Sequence, residues 1–122
     1  MSPDLNPFAI TTTRGDDGVT VVELAGDLDL PVAPDLERVL VSIDGAGPLV
    51  IDLTGLRFMD SSGLRTVLIA AERFSRSGLR WALAVEPGST VGRLLSLSEV
   101  EDQLPIHAGT DEARAAVAGG GE

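Results

Sequence analysis

The chain has 122 residues, of which 43% are hydrophobic and 23% charged, enough for one folded domain and too apolar for a disordered chain. Its formal net charge is −10, and all nine of its cationic side chains are arginine. Because phosphate backbones and anionic lipid surfaces repel such a chain, we expect no nucleic-acid partner and no membrane insertion. A basic protein surface is the complement that this charge favours.

The absence of cysteine excludes disulfides and thiolate metal sites. The N-terminus lacks the basic and apolar regions of a signal peptide, and no apolar stretch has the length of a membrane span. We therefore expect a cytoplasmic protein that holds no metal ion and no cofactor.

Nine segments have the periodicity or composition of regular secondary structure. In chain order they are strands at 8–13 and 19–25, a helix at 31–44, a strand at 49–53, a helix at 61–77, a strand at 79–85, a helix ending at Leu97, a short strand at 104–106 and a helix that starts at Thr110. The segments 26–29 and 55–59 are predicted as connections.

Residues of turn and cap type mark the ends of these segments. Asp17-Gly18 predicts a turn that joins the first two strands into a hairpin. Glycines at 45, 47 and 78 predict helix ends, and Ser89 or Thr90 predicts the start of the third helix. Thr110 predicts the cap of the last helix.

This order, β-β-α-β-α-β-α-β-α, predicts the fold class. After the hairpin, strands and helices alternate, which requires parallel crossovers. We expect a single α/β domain with a mixed sheet and four helices packed on it. Its predicted limits are residues 8–117, with an N-terminal extension at 1–7 and a flexible tail at 118–122.

Common catalytic motifs are absent from the sequence. It has no glycine-rich phosphate loop, no Gly-x-Ser-x-Gly elbow, and a single histidine without a partner at metal-ligand spacing. We expect no catalytic residue and a protein that is not an enzyme.

One segment, Asp60-Ser61-Ser62-Gly63, follows a buried strand and opens a helix. Asp60 or Ser61 is a good N-cap, but a cap needs one such residue and three occur in a row. Gly63 in the first turn costs about 1 kcal/mol relative to alanine, which suggests a close approach to the backbone. A phosphoserine at this position would meet free N–H groups and the favourable end of the helix dipole, so modification need not melt the helix.

Three stretches together resemble a known family: Gly26-Asp27-Leu28-Asp29, the strand at 49–53, and Phe58-Met59-Asp60-Ser61-Ser62-Gly63-Leu64. They resemble the anti-sigma factor antagonists, which are stand-alone STAS domains, and the stretch 91–101 resembles the family's third helix and the exit from it. The resemblance covers residues 8–117 and implies a STAS-type sheet. Two departures are Trp81, an aromatic side chain in the strand after the second helix, and Glu99, where the family usually carries glycine.

The resemblance implies a phosphorylation switch. In this family an anti-sigma factor that is also a serine kinase phosphorylates the second hydroxyl residue of the block, which is Ser62 here. The unphosphorylated antagonist binds the anti-sigma factor and frees the sigma factor; a metal-dependent serine phosphatase restores the complex. The residues expected at the partner surface are Asp27, Asp29, Asp60, Ser61, Gly63 and Leu64.

Two alternatives remain open at this point. The same fold serves as an accessory subunit of lipid-transport ABC complexes or as a scaffold of stress-signalling assemblies, with Ser62 as a contact residue. The second alternative is a small-ligand binder or an enzyme of another α/β type. The residues alone do not decide whether Ser61 or Ser62 is modified.

Overall fold

The computed structural model describes residues 8–43 and 47–118. The predicted extension at 1–7, the predicted helix end at 44–45 and residues 119–122 of the predicted tail lie outside these residues, whereas Ala118, the first residue of that tail, ends the last helix. The strands are β1 (Ala9–Arg14), β2 (Thr20–Leu28), β3 (Leu49–Met59), β4 (Trp81–Val85) and β5 (Ile106–Ala108). The helices are α1 (Ala33–Ser42), α2 (Ser61–Ser77), α3 (Thr90–Leu97) and α4 (Thr110–Ala118), with a 3-10 turn at Glu101–Gln103.

The five strands form one mixed sheet in the order β1-β2-β3-β4-β5. β1 is antiparallel to β2, as the predicted hairpin requires, and the remaining pairs are parallel. The predicted fold class, one α/β domain with a mixed sheet and four helices, is confirmed.

The helices cover both faces of the sheet unequally. Apolar side chains of α1, α2 and α3 share a large core with one face, and Leu36, Phe74 and Leu95 are fully buried members of this core. On the opposite face α4 packs Ala113 and Val117 over a smaller cluster. Burial of this apolar area is the main favourable contribution to folding.

β2 and β3 are longer than predicted. The segments 26–29 and 55–59 were predicted as connections, but β2 runs to Leu28 and β3 to Met59. The glycines that indicated loops lie instead at irregularities of the β2–β3 ladder, where Ala25 pairs with Gly55 and Gly26 has φ +94°. At Gly55 an added Cβ would come within 2.8 Å of the Leu24 carbonyl oxygen.

The start of α4 also differs from the prediction. Thr110 is the first helical residue, not the cap, and its hydroxyl donates to Asp52 Oδ2 at 2.9 Å. Asp52 is buried in β3 and also accepts from the backbone N–H and the hydroxyl of Thr54. These bonds satisfy a buried carboxylate and join α4 to the middle of the sheet.

The turn after α3 shows why glycine is favoured at the position that Glu99 occupies. Glu99 follows the C-cap Ser98 with φ +58° and is the one non-glycine among the described residues with positive φ. Its N–H donates to the Ser96 carbonyl at 3.2 Å. A helix end of this kind favours glycine, because a Cβ in the left-handed region costs about 1 kcal/mol.

We expect Glu99→Gly to raise the free energy of unfolding by about 0.5 to 1 kcal/mol, because relief of the left-handed strain exceeds the added entropy of the unfolded chain. Urea denaturation measures the change. Glu99→Ala is the matched control, since it removes the carboxylate and keeps the Cβ. An equal gain in both variants would assign the effect to charge and not to the backbone.

Candidate functional site

The segment Asp60-Ser61-Ser62-Gly63 lies at the carboxyl edge of the sheet, where β3 ends and α2 begins. The Asp60 N–H donates to the Leu28 carbonyl at 3.1 Å, which continues the β2–β3 pairing by one more bond. The edge of the sheet therefore fixes the point at which α2 starts.

Asp60 is the N-cap of α2, with extended backbone angles. Its Oδ1 accepts three hydrogen bonds, from the Ser62 N–H at 3.0 Å, the Gly63 N–H at 3.1 Å and the Ser62 hydroxyl at 2.6 Å. The predicted choice between Asp60 and Ser61 as cap is thus decided for Asp60.

The same bonds lower the pKa of the Asp60 carboxyl below its usual value. The Ser62 hydroxyl contributes most, and the backbone N–H groups of Gly63, Ser62 and Leu30 add to it, while partial desolvation works in the opposite direction. Asp60 is therefore a carboxylate at neutral pH. Two of the N–H groups expected to be free for a phosphate are already bound to it.

The two serines differ in their surroundings. Ser61, the first residue of α2, is exposed. Ser62 is half-buried, its hydroxyl is held by Asp60, and its carbonyl accepts from the Thr66 hydroxyl at 3.1 Å. The structure thus separates two neighbouring hydroxyls that the sequence pattern did not distinguish.

Position 63 favours glycine because side chains at the ends of β2 and β3 lie close to its backbone. An added Cβ would lie 2.6 Å from Leu28 Cγ and 3.1 Å from Met59 Cγ. The close approach that we inferred from this glycine is therefore made by the ends of β2 and β3. Leu64 is also buried, so Gly63 and Leu64 lie beneath the surface that Ser61 occupies.

The two loop aspartates lie beside this segment. Asp29 directly follows β2, and its carbonyl accepts hydrogen bonds from the N–H groups of Val32 and Ala33 at the start of α1. Asp27 belongs to β2, and its carboxylate lies 3.5 Å from Arg57 Nε. Asp29 thus sets the start of α1, while Asp27 faces a cation on β3.

Ser61 and Ser62 border an open groove between the first turns of α1 and α2. Its lining residues are Leu30, Ala33, Pro34, Glu37, Ser61, Ser62, Arg65 and Thr66. Leu30 is 68% exposed, and Phe58 near the end of β3 is 43% exposed.

Sequence reasoning missed Leu30, Phe58 and Arg65 as surface residues of this region. One signal was available for Leu30, which is an isolated apolar residue between Asp29 and Pro31. Arg65 follows Ser61 by one helical turn and was hidden within a periodic helix pattern.

Over residues 8–43 and 47–118, no helix is both long and apolar enough to cross a membrane. Within the same part of the chain, no three acidic or histidine side chains converge on a possible metal position.

Comparisons with known proteins agree on one family. The family model described as STAS domain matches residues 11–113. The anti-sigma-F factor antagonist RsfB of Mycobacterium tuberculosis is 31% identical over 117 residues, 93% of this chain and 94% of that protein. The crystal structure of an anti-sigma factor antagonist from Mycobacterium paratuberculosis has a TM-score of 0.83 at 26% identity, covering 93% of this chain and 97% of that one.

A third similar protein shares the fold alone. SpoIIAA, a Bacillus cell fate determinant solved in its phosphorylated form, has a TM-score of 0.65 at 22% identity, with 85% of this chain and 94% of that chain covered. Together the matches span nearly all the described residues.

We expect Gly63→Ala to lower the free energy of unfolding by about 1 to 3 kcal/mol through overpacking against Leu28, although alanine is the better helix former. A double-mutant cycle with Leu28→Ala measures the contact. Leu28→Ala alone costs about 2 to 5 kcal/mol, and the double variant should lose less than the sum because the clash is gone. Strict additivity of the two losses would contradict the contact.

We expect Asp60→Ala to destabilise the chain by about 1 kcal/mol at pH 7, and Asp60→Asn to be nearly neutral because asparagine is an equally good N-cap. Since the pKa of Asp60 is lowered on folding, its charge contributes stability above about pH 4, the unfolded value, and this contribution is lost as pH falls through the folded pKa. Denaturation from pH 6 to pH 2.5 should show wild type losing stability relative to Asp60→Asn. Parallel pH curves would refute the role of the charge.

Proposed function

The chain belongs to the STAS domain family, and we propose that within this family it acts as an anti-sigma factor antagonist that is switched by phosphorylation of Ser62. Its partner in this proposal is an anti-sigma factor with serine kinase activity, and a serine phosphatase reverses the modification. The chain is a substrate and binding module and not an enzyme. We also propose a cytoplasmic location for the chain.

The observation that carries the proposal is the position of the Ser62 hydroxyl, held at 2.6 Å from Asp60 at the surface-exposed start of α2. The relatives that match nearly the whole chain carry the name anti-sigma factor antagonist, which supports the same class of activity. A protein of this fold, SpoIIAA, exists in a phosphorylated form.

Electrostatics explain how modification of Ser62 would act. A phosphoserine carries roughly −1.5 to −2 charges at pH 7. On Ser62 that charge would meet the Asp60 carboxylate, which already binds the Ser62 and Gly63 N–H groups. The phosphate must therefore project outward, where it changes the charge and shape of the surface that a partner meets.

The surroundings of Ser62 suit a protein partner. Leu30, which lines the same groove as Ser62, and Phe58, two residues before Asp60, expose apolar area near this segment. Phenylalanine is among the aromatic residues that are enriched in the buried core of protein interfaces. The net charge of −10 favours a basic partner surface, as a protein that binds ATP phosphates presents.

The predicted site residues then divide by role. Asp29, Asp60 and Ser61 form part of the proposed partner surface. Asp27 contributes to this surface through its ion pair with Arg57. Gly63 and Leu64 hold the start of α2 against the core, so we assign them a positioning role in place of direct contact.

The first test is intact-mass analysis with fragment mapping of the chain isolated from its own cells, with and without stress. We expect one phosphoryl group, on Ser62, whose occupancy changes with condition. Absence of phosphate in every condition would favour the accessory-subunit or scaffold alternative.

A second test uses tagged variants as bait in the same cells. Ser62→Ala should retain an ATP-binding serine kinase, because it binds and cannot be phosphorylated, and Ser62→Asp should bind that kinase at least about tenfold more weakly through charge repulsion. Ser75→Ala, which changes an exposed serine in the last turns of the same helix, is the matched control and should behave as wild type. Equal affinity of the alanine and aspartate variants of Ser62 would count against the switch.

A further inference from the structure

Arg65 is an exposed cation in the groove that Ser62 borders. Among the described residues that line this groove, Arg65 carries the only positive charge, and Glu37 of α1 carries a negative one. Within the part of the chain that the structure describes, the Arg65 guanidinium pairs with no carboxylate, whereas Arg76 of the same helix pairs with Glu72. The groove of the unphosphorylated chain therefore contains a cation that is available to a new anion.

The geometry of α2 directs Arg65 toward Ser62. Residues three apart in a helix are neighbours, with about 5 to 6 Å between their Cβ atoms. Helical side chains also lean toward the N-terminus of their helix, so the stem of Arg65 points back toward the turn that contains Ser62. Since both residues line one groove, the guanidinium can reach a phosphate on Ser62 without a change of the backbone.

A phosphate on Ser62 would find little stabilisation at the helix start itself. A helix N-terminus ordinarily offers free N–H groups to a phosphate. Here the N–H groups of Ser62 and Gly63 donate to Asp60 instead, at 3.0 and 3.1 Å. Because the carboxylates of Asp60 and Glu37 both repel a dianion, the favourable charge that remains beside the groove is that of Arg65.

We propose that Arg65 binds the phosphoryl group of phosphorylated Ser62 and holds it over the groove between α1 and α2. Arginine suits this role because its planar guanidinium donates two hydrogen bonds at once to phosphate oxygens. The inference rests on the proposed function, because the switch is what supplies the phosphate. It adds to that function the residue that determines where the phosphate lies in the phosphorylated chain.

A phosphate held by Arg65 would close the groove to a partner. The α1 side of the groove is apolar, with the exposed Leu30 beside Ala33 and Pro34. A dianion over this surface occupies the space and costs free energy to dehydrate, so an apolar segment of a partner could no longer pack there. The ion pair with Arg65 would also offset part of the repulsion from Asp60, which keeps the first turn of α2 folded.

The test uses the full chain with phosphoserine incorporated at position 62 during translation, so that no kinase is needed. Phosphorus-31 NMR follows the second ionisation of the phosphoserine, whose pKa is about 6. A cation in contact with the phosphate favours the dianion and lowers this pKa. Arg65→Gln removes the cation and Arg65→Lys keeps its charge. Arg76→Gln is the matched control, because it removes the same charge about 21 Å from Ser62 along the same helix.

We expect the midpoint of the phosphorylated Arg65→Gln chain to lie roughly 0.5 to 1 pH unit above that of the phosphorylated wild type. Arg65→Lys should recover at least half of this difference, because the positive charge remains on a stem of similar length. Arg76→Gln should match wild type within about 0.1 unit, since solvent and salt screen a charge at that distance.

A second measurement locates the phosphate relative to α1. The Ala33 amide lies on the opposite side of the groove from α2, so its resonance should move with the midpoint of the phosphate titration in the wild-type chain. In Arg65→Gln it should move at most about half as far, because nothing then holds the dianion over the groove. Equal movement in both chains would show that the phosphate reaches α1 without Arg65.

Two results of the phosphorus titration would likewise overturn the inference. A midpoint in Arg65→Gln within about 0.2 unit of wild type would show that the phosphate makes no contact with Arg65. An equal rise in Arg65→Gln and Arg76→Gln would reduce the effect to net charge. Failure of the proposed function is distinguishable from both, because Ser62 would then carry no phosphate in the chain isolated from its own cells, while the titration would still report on Arg65.

Discussion

The pairing of β2 with β3 beyond their irregular middle section is the constraint on which the site depends. It brings the Leu28 carbonyl to the Asp60 N–H and places the Leu28 side chain beneath Gly63. Had the two strands ended where the glycines begin, the start of α2 would lack both supports. A site built on a strand end and a helix start is held more rigidly than one built on a free loop.

Much of this arrangement could be predicted from the sequence. The period of the apolar residues gave the helices and their order, and the left-handed Gly78 ends α2 as its position suggested. Asp60 as N-cap was one of two candidates, because local capping chemistry acts within a few residues and is visible in a single segment. The mixed sheet followed from the alternation of strands and helices after a hairpin.

What could not be predicted depends on contacts between distant segments. Gly26 and Gly55 indicated loops because glycine is rare inside strands, and only the facing strand reveals that they lie at irregularities of a longer ladder. Gly63 gave a correct sign of close approach, but its neighbour is Leu28, 35 residues earlier. Thr110 had the composition of a cap, yet a buried carboxylate on β3 claims its hydroxyl. In each case the tertiary contact outweighs the local preference.

The energies involved explain why a switch can be located at a helix start without endangering the fold. An N-cap contributes about 1 kcal/mol, whereas a domain of this size is stable by roughly 5 to 15 kcal/mol. Repulsion between a phosphate on Ser62 and the Asp60 carboxylate can therefore weaken the first turn of α2 while Leu36, Phe74 and Leu95 hold the core below it. At an interface the same loss is decisive, since 1.4 kcal/mol changes an affinity tenfold. A charge placed where it costs the fold little and the complex much is the physical condition for a switch that turns binding off without unfolding the chain.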